Sequence, residues 1–385
     1  MKHPALELLE ALIRIPSVNP SYGEGAEGEA ELSRFVERYF DGRGLAVTRQ
    51  RVFEGRDNVV VELRTGHPEA ALLFEAHMDT VSLGTMKRAL EPTYRDGRLY
   101  GRGACDTKGS LAAMMYALAE CAKRPELLSC DVILCASVDE EHRFRGVLRY
   151  LEDRPSVAAA VVGEPTKLRI VAAHKGCVRF AVHTHGKAAH SSVPEEGDNA
   201  IVRMAEVIRF LNERLAPPLA EKVDPLCGPA TLSIGTIRGG KQINIVPDRC
   251  TIEVDRRIVP GENPHRVYED IAAAFEEAFA REPDSYSIEP LLLDWALDTP
   301  PGGAFVSFAR DAASRLGFDA GVYGETYGSD ASKLQGIGGI PSIVYGPGSI
   351  AQAHSSEEWV AADEVERAAR FYLELARGFG NTFSG

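Results

Sequence analysis

Short apolar runs alternate with helix-like segments along much of this 385-residue chain, and this alternation constrains the fold more than any other feature. Such runs are typical of strands buried in a parallel sheet. The pattern therefore predicts an α/β fold with a mostly parallel sheet, which binds ligands beyond the carboxyl ends of its strands. The predicted strands are 45–51, 58–63, 71–75, 131–137, 158–162 and 342–345, and the predicted helices are 4–13, 28–42, 110–123 and 363–378.

The middle of the chain lacks this regular alternation. Four predicted strands there (179–185, 231–237, 249–259 and 287–292) are accompanied by only two predicted helices, 199–215 and 264–281. An α+β domain inserted into the α/β domain accounts for the change. The predicted organisation is therefore a discontinuous main domain, 1–175 and 294–385, with an inserted domain at 176–293. The glycine-rich stretch Gly235–Gly240 is interpreted as a turn-rich rim.

Acidic residues and histidines follow the predicted strands of the main domain. They are His77 and Asp79 after 71–75, Glu140 and Glu141 after 131–137, Glu164 after 158–162, and His354 after 342–345. Asp106 stands in a glycine-rich loop, Gly101–Gly109, that opens a helix. Because the carboxyl ends of parallel strands meet at one edge of a sheet, one pocket can collect all of these side chains.

Other interpretations of the Gly101–Gly109 loop and of the cysteines are less consistent with the sequence. The loop has neither the dinucleotide nor the P-loop phosphate pattern. Asp106 alone would be interpreted as a helix cap, but the acidic residues and histidines at other strand ends favour a ligand role. Seven scattered cysteines without a C-x-x-C pair indicate free thiols in a reducing compartment. Cys105 is interpreted as a small buried residue.

This donor set predicts a metal site. Two imidazoles with several carboxylates suit zinc, with cobalt and manganese as alternatives. A catalytic zinc ion usually takes three protein ligands, so two ions that share Asp106 account for more of these side chains than one ion does. Such pairs can polarise a carbonyl and generate hydroxide together. Adjacent Glu140 and Glu141 face opposite ways in an extended chain, so one should bind metal and the other should transfer protons. Asp79, two residues after His77, is placed to accept the imidazole N–H.

Several motifs resemble, in order along the chain, the M20 family of dinuclear zinc amidohydrolases. They are His77-x-Asp79, Gly101–Gly109, Glu140-Glu141, Gly163-Glu164-Pro165 and His354. Within that family the chain is similar to the branch of acetylornithine deacetylase and succinyl-diaminopimelate desuccinylase, and closer to the deacetylase around His174 and His354.

The resemblance implies a role for each of these residues. One metal would be held by His77, Asp106 and Glu164, and the other by Asp106, Glu141 and His354. Glu140 would be the general base, and Asp79 would orient His77. A cis peptide bond after Asp106 is also implied.

The resemblance extends to the inserted domain, in which His185–Ser192 is similar to the family's lid and dimerisation motif. It implies a homodimer formed through residues 176–293, with His190 reaching the partner's active site to stabilise the oxyanion. Asn244 and Arg257 would hold the substrate's carboxylate or amide. Ser329 and Gly348 are further candidates for the substrate rim.

We therefore expect a metal-dependent amidohydrolase that cleaves the amide bond of a small N-acyl amino acid. The alternatives are a succinyl-diaminopimelate desuccinylase, an M20 dipeptidase or carboxypeptidase, and a non-catalytic binding protein. The last would be marked by loss of a ligand or of the base, and none is lost.

Charge and hydropathy bear on partners and location. A net charge of -13 argues against nucleic-acid or anionic-membrane partners. The first fifteen residues lack the apolar core of a signal peptide, and no run is long enough to span a membrane. A cytoplasmic protein is expected.

Overall fold

A computed structural model of the chain describes residues 2–23, 26–67, 71–153 and 155–380. Over the described residues, the chain divides into two compact units. The first unit is Met1–Ala172, Thr299–Tyr323 and Ser329–Gly385, and the second is Ala173–Asp298 with Gly324–Gly328. The predicted main domain included residues 173–175, 294–298 and 324–328, which the structure groups with the second unit. No helix in the described ranges combines the length and hydropathy that a membrane span requires.

The secondary structure alternates in the first unit and is richer in consecutive strands in the second. The α-helices of the described ranges are α1 (Pro4–Arg14), α2 (Ala30–Phe40), α3 (Lys108–Ala122), α4 (Arg145–Glu152), α5 (Ala200–Phe210), α6 (Pro264–Ala278), α7 (Ala304–Arg315), α8 (Ala331–Gly336) and α9 (Ala362–Gly378). The strands are β1 (Ala46–Phe53), β2 (Arg56–Leu63), β3 (Leu72–His77), β4 (Thr93–Arg95), β5 (Arg98–Tyr100), β6 (Val132–Ser137), β7 (Ala159–Val162), β8 (Ile170–His174), β9 (Gly176–His185), β10 (Val223–Asp224), β11 (Gly228–Pro229), β12 (Thr231–Gly239), β13 (Arg249–Ile258), β14 (Tyr286–Asp294), β15 (Leu297–Asp298), β16 (Val322–Glu325), β17 (Ser342–Val344) and β18 (Trp359–Ala361).

The first unit is built on a large sheet with the strand order β1-β2-β6-β3-β7-β17-β8. Its central strands β6, β3, β7 and β17 are parallel, while β1 and β2 extend one side in antiparallel fashion. Strand β8 runs antiparallel to β17. Strands β3 and β6 are buried along their whole length, as expected for a sheet covered on both faces. The predicted α/β class with a mostly parallel sheet is confirmed. A separate small sheet, β18-β5-β4, lies in the same unit.

Helix α3 is buried around most of its circumference, although the spacing of its apolar residues at three and four positions requires only one buried face. Apolar and small residues on both faces, from Leu111 to Cys121, are shielded from solvent. The reason is that α3 packs on β3 and also contacts α1 and α9. A helix that is enclosed in this way can be apolar on every side.

The second unit contains an antiparallel sheet with the order β12-β13-β9-β14. Helices α5 and α6 pack on it, and apolar side chains from the sheet and the helices, such as Phe180, Met204, Ile252 and Phe275, form one core. The expectation that Gly235–Gly240 forms a turn-rich rim is wrong. Strand β12 continues to Gly239, and Gly235 lies at an irregularity in its pairing with β13. Glycine within a strand often marks such a bulge.

Candidate metal centre

The parallel strands β3, β6 and β7 bring their carboxyl ends to the same edge of the sheet. His77 is the last residue of β3 and pairs in register with Ser137, the last residue of β6. Glu140 and Glu141 follow β6, and Glu164 follows β7. The topology alone therefore gathers an imidazole and three carboxylates at one edge, as the sequence analysis expected.

Asp106 lies between two imidazoles. Its Oδ1 is 3.1 Å from Nε2 of His77, and its Oδ2 is 3.2 Å from Nε2 of His354. The same Nε2 of His354 is 3.0 Å from Oε1 of Glu141. Each oxygen of one carboxylate thus faces a different histidine, which is the arrangement that a bridging ligand requires.

The remaining carboxylates lie on the His77 side. Nε2 of His77 is 3.7 Å from Oε1 of Glu164 and 4.0 Å from Oε2 of Glu140. Two sets of three side chains each have donor atoms that all lie within 4.8 Å of one another. One set is His77, Asp106 and Glu141, and the other is His77, Glu140 and Glu164. By distance alone, Glu140 belongs with Glu164, and Glu141 belongs with Asp106 and His354.

Burial and mutual repulsion dominate the electrostatics of this cluster. Burial, together with neighbouring carboxylates, raises the pKa of Glu140 and of Glu164 well above the ordinary value for glutamate. Burial and the charge of Asp106 also raise the pKa of Glu141. Hydrogen bonds to Asp106 and Glu141 raise the pKa of His354 to about 10. The cluster therefore favours added positive charge, either as protons or as cations.

Divalent cations fit this donor set. It offers imidazole nitrogens and carboxylate oxygens, which bind zinc, cobalt and manganese. The carboxylates share a small buried volume, where their repulsion is relieved by a cation between them. The thiol of Cys105 is not among the donors, since its Sγ contacts the backbone oxygen of Ser349 at 3.3 Å and burial raises its pKa well above the ordinary value. All seven cysteines are free and buried.

The Asp79 carboxylate supports the two adjacent glutamates. Its oxygens accept the backbone N–H groups of Glu140, at 3.1 Å, and of Glu141, at 3.2 Å. Nδ1 of His77 lies 3.0 Å from the backbone oxygen of Asp79 and 3.5 Å from its Oδ1. Hydrogen-bond geometry favours the backbone carbonyl as the acceptor of the imidazole proton. Asp79 therefore contacts His77 chiefly through its main chain, whereas the sequence analysis expected its side chain.

A buried network that the sequence analysis missed surrounds Asp79. Nδ2 of Asn19 donates to Oδ2 of Asp79 at 2.8 Å and to Oδ1 of Asp139 at 3.0 Å. Arg56 pairs with Glu29 and reaches the same Asp139 oxygen at 3.3 Å. Asp139 has a positive φ of 66°, which turns the chain immediately before Glu140. The only sequence signal for this network is the position of Asn19 in a loop that proline interrupts.

The peptide bond between Asp106 and Thr107 is cis, as the resemblance implied.

The predicted substrate residues of the second unit are placed as follows. His190 is exposed, with Nδ1 2.7 Å from Oγ of Ser192. Asn244 is also exposed, and its backbone oxygen accepts the N–H of Ser191 at 3.1 Å. Arg257 forms an ion pair with Asp255 at 2.9 Å. Their roles toward a substrate stay predictions.

The two predicted rim residues belong to the first unit. Ser329 is buried, and its backbone oxygen accepts a hydrogen bond from Nζ of Lys333 at 3.1 Å. Gly348 has a φ of 84°, a conformation that favours glycine, and its N–H donates to Oε2 of Glu364 at 2.6 Å. Substrate contact stays a prediction for both.

A comparison with protein families matches residues 73–378 to "Peptidase family M20/M25/M40". The chain belongs to this peptidase family. It is accordingly a hydrolase that acts on amide bonds, which confirms the expected enzyme class and the resemblance from which it was drawn.

Curated relatives and solved structures agree with this M20 assignment. The chain is 31% identical over 343 residues to an acetylornithine deacetylase of Myxococcus xanthus, covering 86% of this chain and 88% of the relative. It is 30% identical over 390 residues to an acetylornithine deacetylase of Pectobacterium carotovorum, covering 98% of each. An M20 family metallo-carboxypeptidase from Sulfolobus solfataricus shares the fold with a TM-score of 0.81, at 18% identity over 98% of this chain and 100% of that one.

Proposed function

We propose that this M20 hydrolase is a metal-dependent deacylase that cleaves an N-acyl amino acid in the manner of acetylornithine deacetylase. The observation that carries the proposal is the position of Asp106, whose two oxygens face His77 and His354 separately. The relatives named acetylornithine deacetylase, which match nearly the whole chain, support the substrate class.

Two divalent ions are proposed, zinc first, with cobalt and manganese as alternatives. His77, Asp106 and Glu164 would hold one ion, and Asp106, Glu141 and His354 the other. The 3.0 Å contact between Glu141 and His354 supports the second set, and the 3.7 Å approach of Glu164 to His77 supports the first. When bound, such ions supply the Lewis acidity that polarises an amide carbonyl and acidifies water.

Glu140 is the proposed general base. Its carboxylate lies on the His77 side of the cluster, whereas its neighbour Glu141 contacts His354. The Glu140 carboxylate would take a proton from the attacking water and deliver it to the leaving nitrogen as the amide C–N bond breaks. The products are a carboxylate and a free amine. The backbone hydrogen bond from Glu140 to Asp79 holds the base in place.

The second unit would complete the site in a homodimer. In this proposal His190 of one chain stabilises the oxyanion in its partner, and Asn244 and Arg257 hold the substrate together with the rim residues Ser329 and Gly348. Sedimentation at the working concentration tests the dimer, because a fully active monomer would remove the role given to His190. The cytoplasmic location stays a prediction.

An M20 exopeptidase acting on dipeptides is the second candidate. It is favoured by the fold shared with proteins described as peptidases, such as the Sulfolobus metallo-carboxypeptidase. The same metal ligands and base would serve it, as they would a succinyl-diaminopimelate desuccinylase, because the substrate's side-chain contacts decide between these activities.

A hydrolysis panel tests the proposal. N-acetylornithine, other N-acetyl amino acids, N-succinyl-diaminopimelate and several dipeptides are assayed with zinc-loaded, cobalt-loaded and chelator-treated protein. Metal-dependent release of acetate, greatest for an N-acetyl amino acid, is the expected result. Preferential cleavage of dipeptides would assign the exopeptidase function instead. Turnover that survives complete metal removal would contradict both.

A further inference from the structure

The side chain of Glu358 is buried and accepts hydrogen bonds from the loop that carries Asp106. Oε2 of Glu358 accepts from Nη1 of Arg102 at 2.7 Å and from the backbone N–H of Gly103 at 3.0 Å. Oε1 accepts from the N–H of Cys105 at 2.9 Å and from the N–H of Asp106 at 3.1 Å. Glu358 is 1% exposed, so water does not compete for these bonds.

This arrangement fixes the main chain next to the proposed bridging ligand. Four donors within five consecutive residues of this loop, 102–106, converge on one carboxylate, and one of them is the N–H of Asp106 itself. The positive charge of Arg102 balances the buried negative charge. Hydrogen bonds to an ionised acceptor are stronger than neutral ones, so Glu358 restricts the loop more than a neutral side chain would.

Glu358 also belongs to the segment that supplies His354. It follows His354 by four residues and directly precedes β18, which pairs with β5 at the entrance to the Asp106 loop. The backbone oxygen of Glu358 accepts the N–H of Gly101 at 3.2 Å, which extends that pairing. Through its main chain and side chain, Glu358 therefore connects the loop of Asp106 to the segment of His354.

We propose that Glu358 is a positioning residue that sets the relative placement of Asp106 and His354 and thereby the affinity of the site for its metal ions. The inference rests on the proposed metal centre. Glu358 itself contacts no reacting atom in this account. It acts as outer-shell partners of metal ligands do, by orienting the groups that bind the ion.

Glu358→Gln is the informative variant. Each oxygen of Glu358 accepts two hydrogen bonds, so an amide NH₂ group in either place would face two donors. The loop must then shift to relieve the donor–donor contacts. We expect metal affinity to fall roughly 10- to 100-fold, the range typical of outer-shell changes. The affinity is measured by competition between apo protein and a chromophoric chelator for Zn²⁺, and the visible absorption of the Co²⁺-loaded protein should change with ligand geometry.

Glu262→Gln is the matched control. Glu262 also pairs with a buried arginine, Arg256, at 2.7 Å and accepts a backbone N–H, that of Val259, at 3.0 Å. It lies in the second unit, so its loss perturbs a similar hydrogen-bond group outside the metal cluster's unit. Metal affinity and the Co²⁺ spectrum should stay at wild-type values in this variant.

Glu358→Asp covers the case in which the glutamine variant does not fold. Aspartate keeps the negative charge, but its side chain is shorter by one methylene. We therefore expect a metal affinity between those of wild type and the glutamine variant. A folded Glu358 variant with wild-type affinity and an unchanged Co²⁺ spectrum would overturn the inference alone. Wild-type protein that binds neither Zn²⁺ nor Co²⁺ would overturn the proposed metal centre as well.

Discussion

At the residue scale, the site depends on the geometry of one carboxylate. The two oxygens of Asp106 contact His77, which is 1% exposed at its side chain, and His354, which is 49% exposed. Although burial opposes it, hydrogen bonds from both imidazoles lower the pKa of Asp106. An aspartate that stays ionised under these conditions is suited to share its charge between two cations.

Glu140→Gln separates metal binding from proton transfer. Glutamine keeps the size of the side chain but cannot accept a proton from water, so we expect kcat to fall about 100- to 10,000-fold. The metal content of the variant should equal that of wild type, because the proposed ligands are untouched. Both quantities are measured on the same preparation. Wild-type kcat at full metal content would refute the assignment of the base.

The residues that sequence predicted and those it missed differ in one respect. His77, Glu164 and His354 follow predicted strands, so the rule that ligands bind beyond strand ends was enough to propose them. Asn19 and Glu358 act through partners far away in sequence, and neither stands at the end of a predicted strand. Their contacts depend on which loops the fold brings together, which periodicity does not encode.

At the element scale, the close approach of the segments that follow β7 and β17 requires glycine at position 346. A Cβ at Gly346 would lie 2.5 Å from the backbone oxygen of Glu164 and would also meet Oγ of Ser110. The segment that follows β17 therefore packs directly against the residue proposed to bind metal. Gly346 is therefore important because it has no side chain, so that the backbone can approach Glu164 closely.

Gly346→Ala should destabilise the first unit by about 1–3 kcal/mol, the usual cost of forcing extra atoms into a packed interior. Metal affinity should fall with it, since Glu164 must move to make room. Gly302→Ala is the control, because a Cβ there meets nothing within 4 Å and a change within about 0.5 kcal/mol is expected. Urea denaturation of the apo proteins gives the free energy of unfolding of each variant. Equal stability of the two variants would argue against tight packing at Gly346.

The presence of a helix or strand was easier to predict than its burial and its neighbours. The spacing in α3 predicted a helix, but the number of its buried faces depended on α1 and α9, which pack against it. In β12, glycine was interpreted as a turn signal, although Gly235 instead marks an irregularity in strand pairing. In both cases tertiary neighbours decided what local sequence left open.

At the scale of the whole molecule, the second unit should show its own acid sensitivity. Although burial opposes ionisation, hydrogen bonds from Arg256 and the Val259 N–H hold the pKa of Glu262 below its ordinary 4.5. A lowered folded-state pKa means that the stabilisation is fully present above pH 4.5 and is lost as the pH falls through the folded value.

Glu262→Gln should therefore lower the free energy of unfolding at pH 7 by about 1–2 kcal/mol. This value lies toward the low end for charge-assisted hydrogen bonds, because solvent partly screens the pair of Glu262 and Arg256. The difference from wild type should shrink progressively below pH 4.5. Denaturation at a series of pH values, with apo protein, measures it. A difference that is the same at pH 7 and pH 3 would contradict the proposed charge dependence.

The α/β class and the change of pattern in the middle of the chain were visible in the sequence, because strand and helix periodicities differ. The grouping of residues 324–328 with the second unit was not, since that short segment has no periodicity of its own. Substrate identity was also beyond the pattern, because it depends on side-chain contacts with a ligand, and no motif in the sequence encodes those contacts.

The metal content of the purified protein, measured together with its activity, decides whether the cluster around Asp106 is a two-metal centre. The protein is stripped of metal with a chelator and then titrated with Zn²⁺. At each step, metal analysis gives the number of bound ions, and product release gives the rate of hydrolysis of N-acetyl amino acids. We expect no turnover in the stripped protein and full recovery only as binding approaches two ions per chain. Full activity without metal, or with one ion and no second site, would refute the proposed two-metal centre.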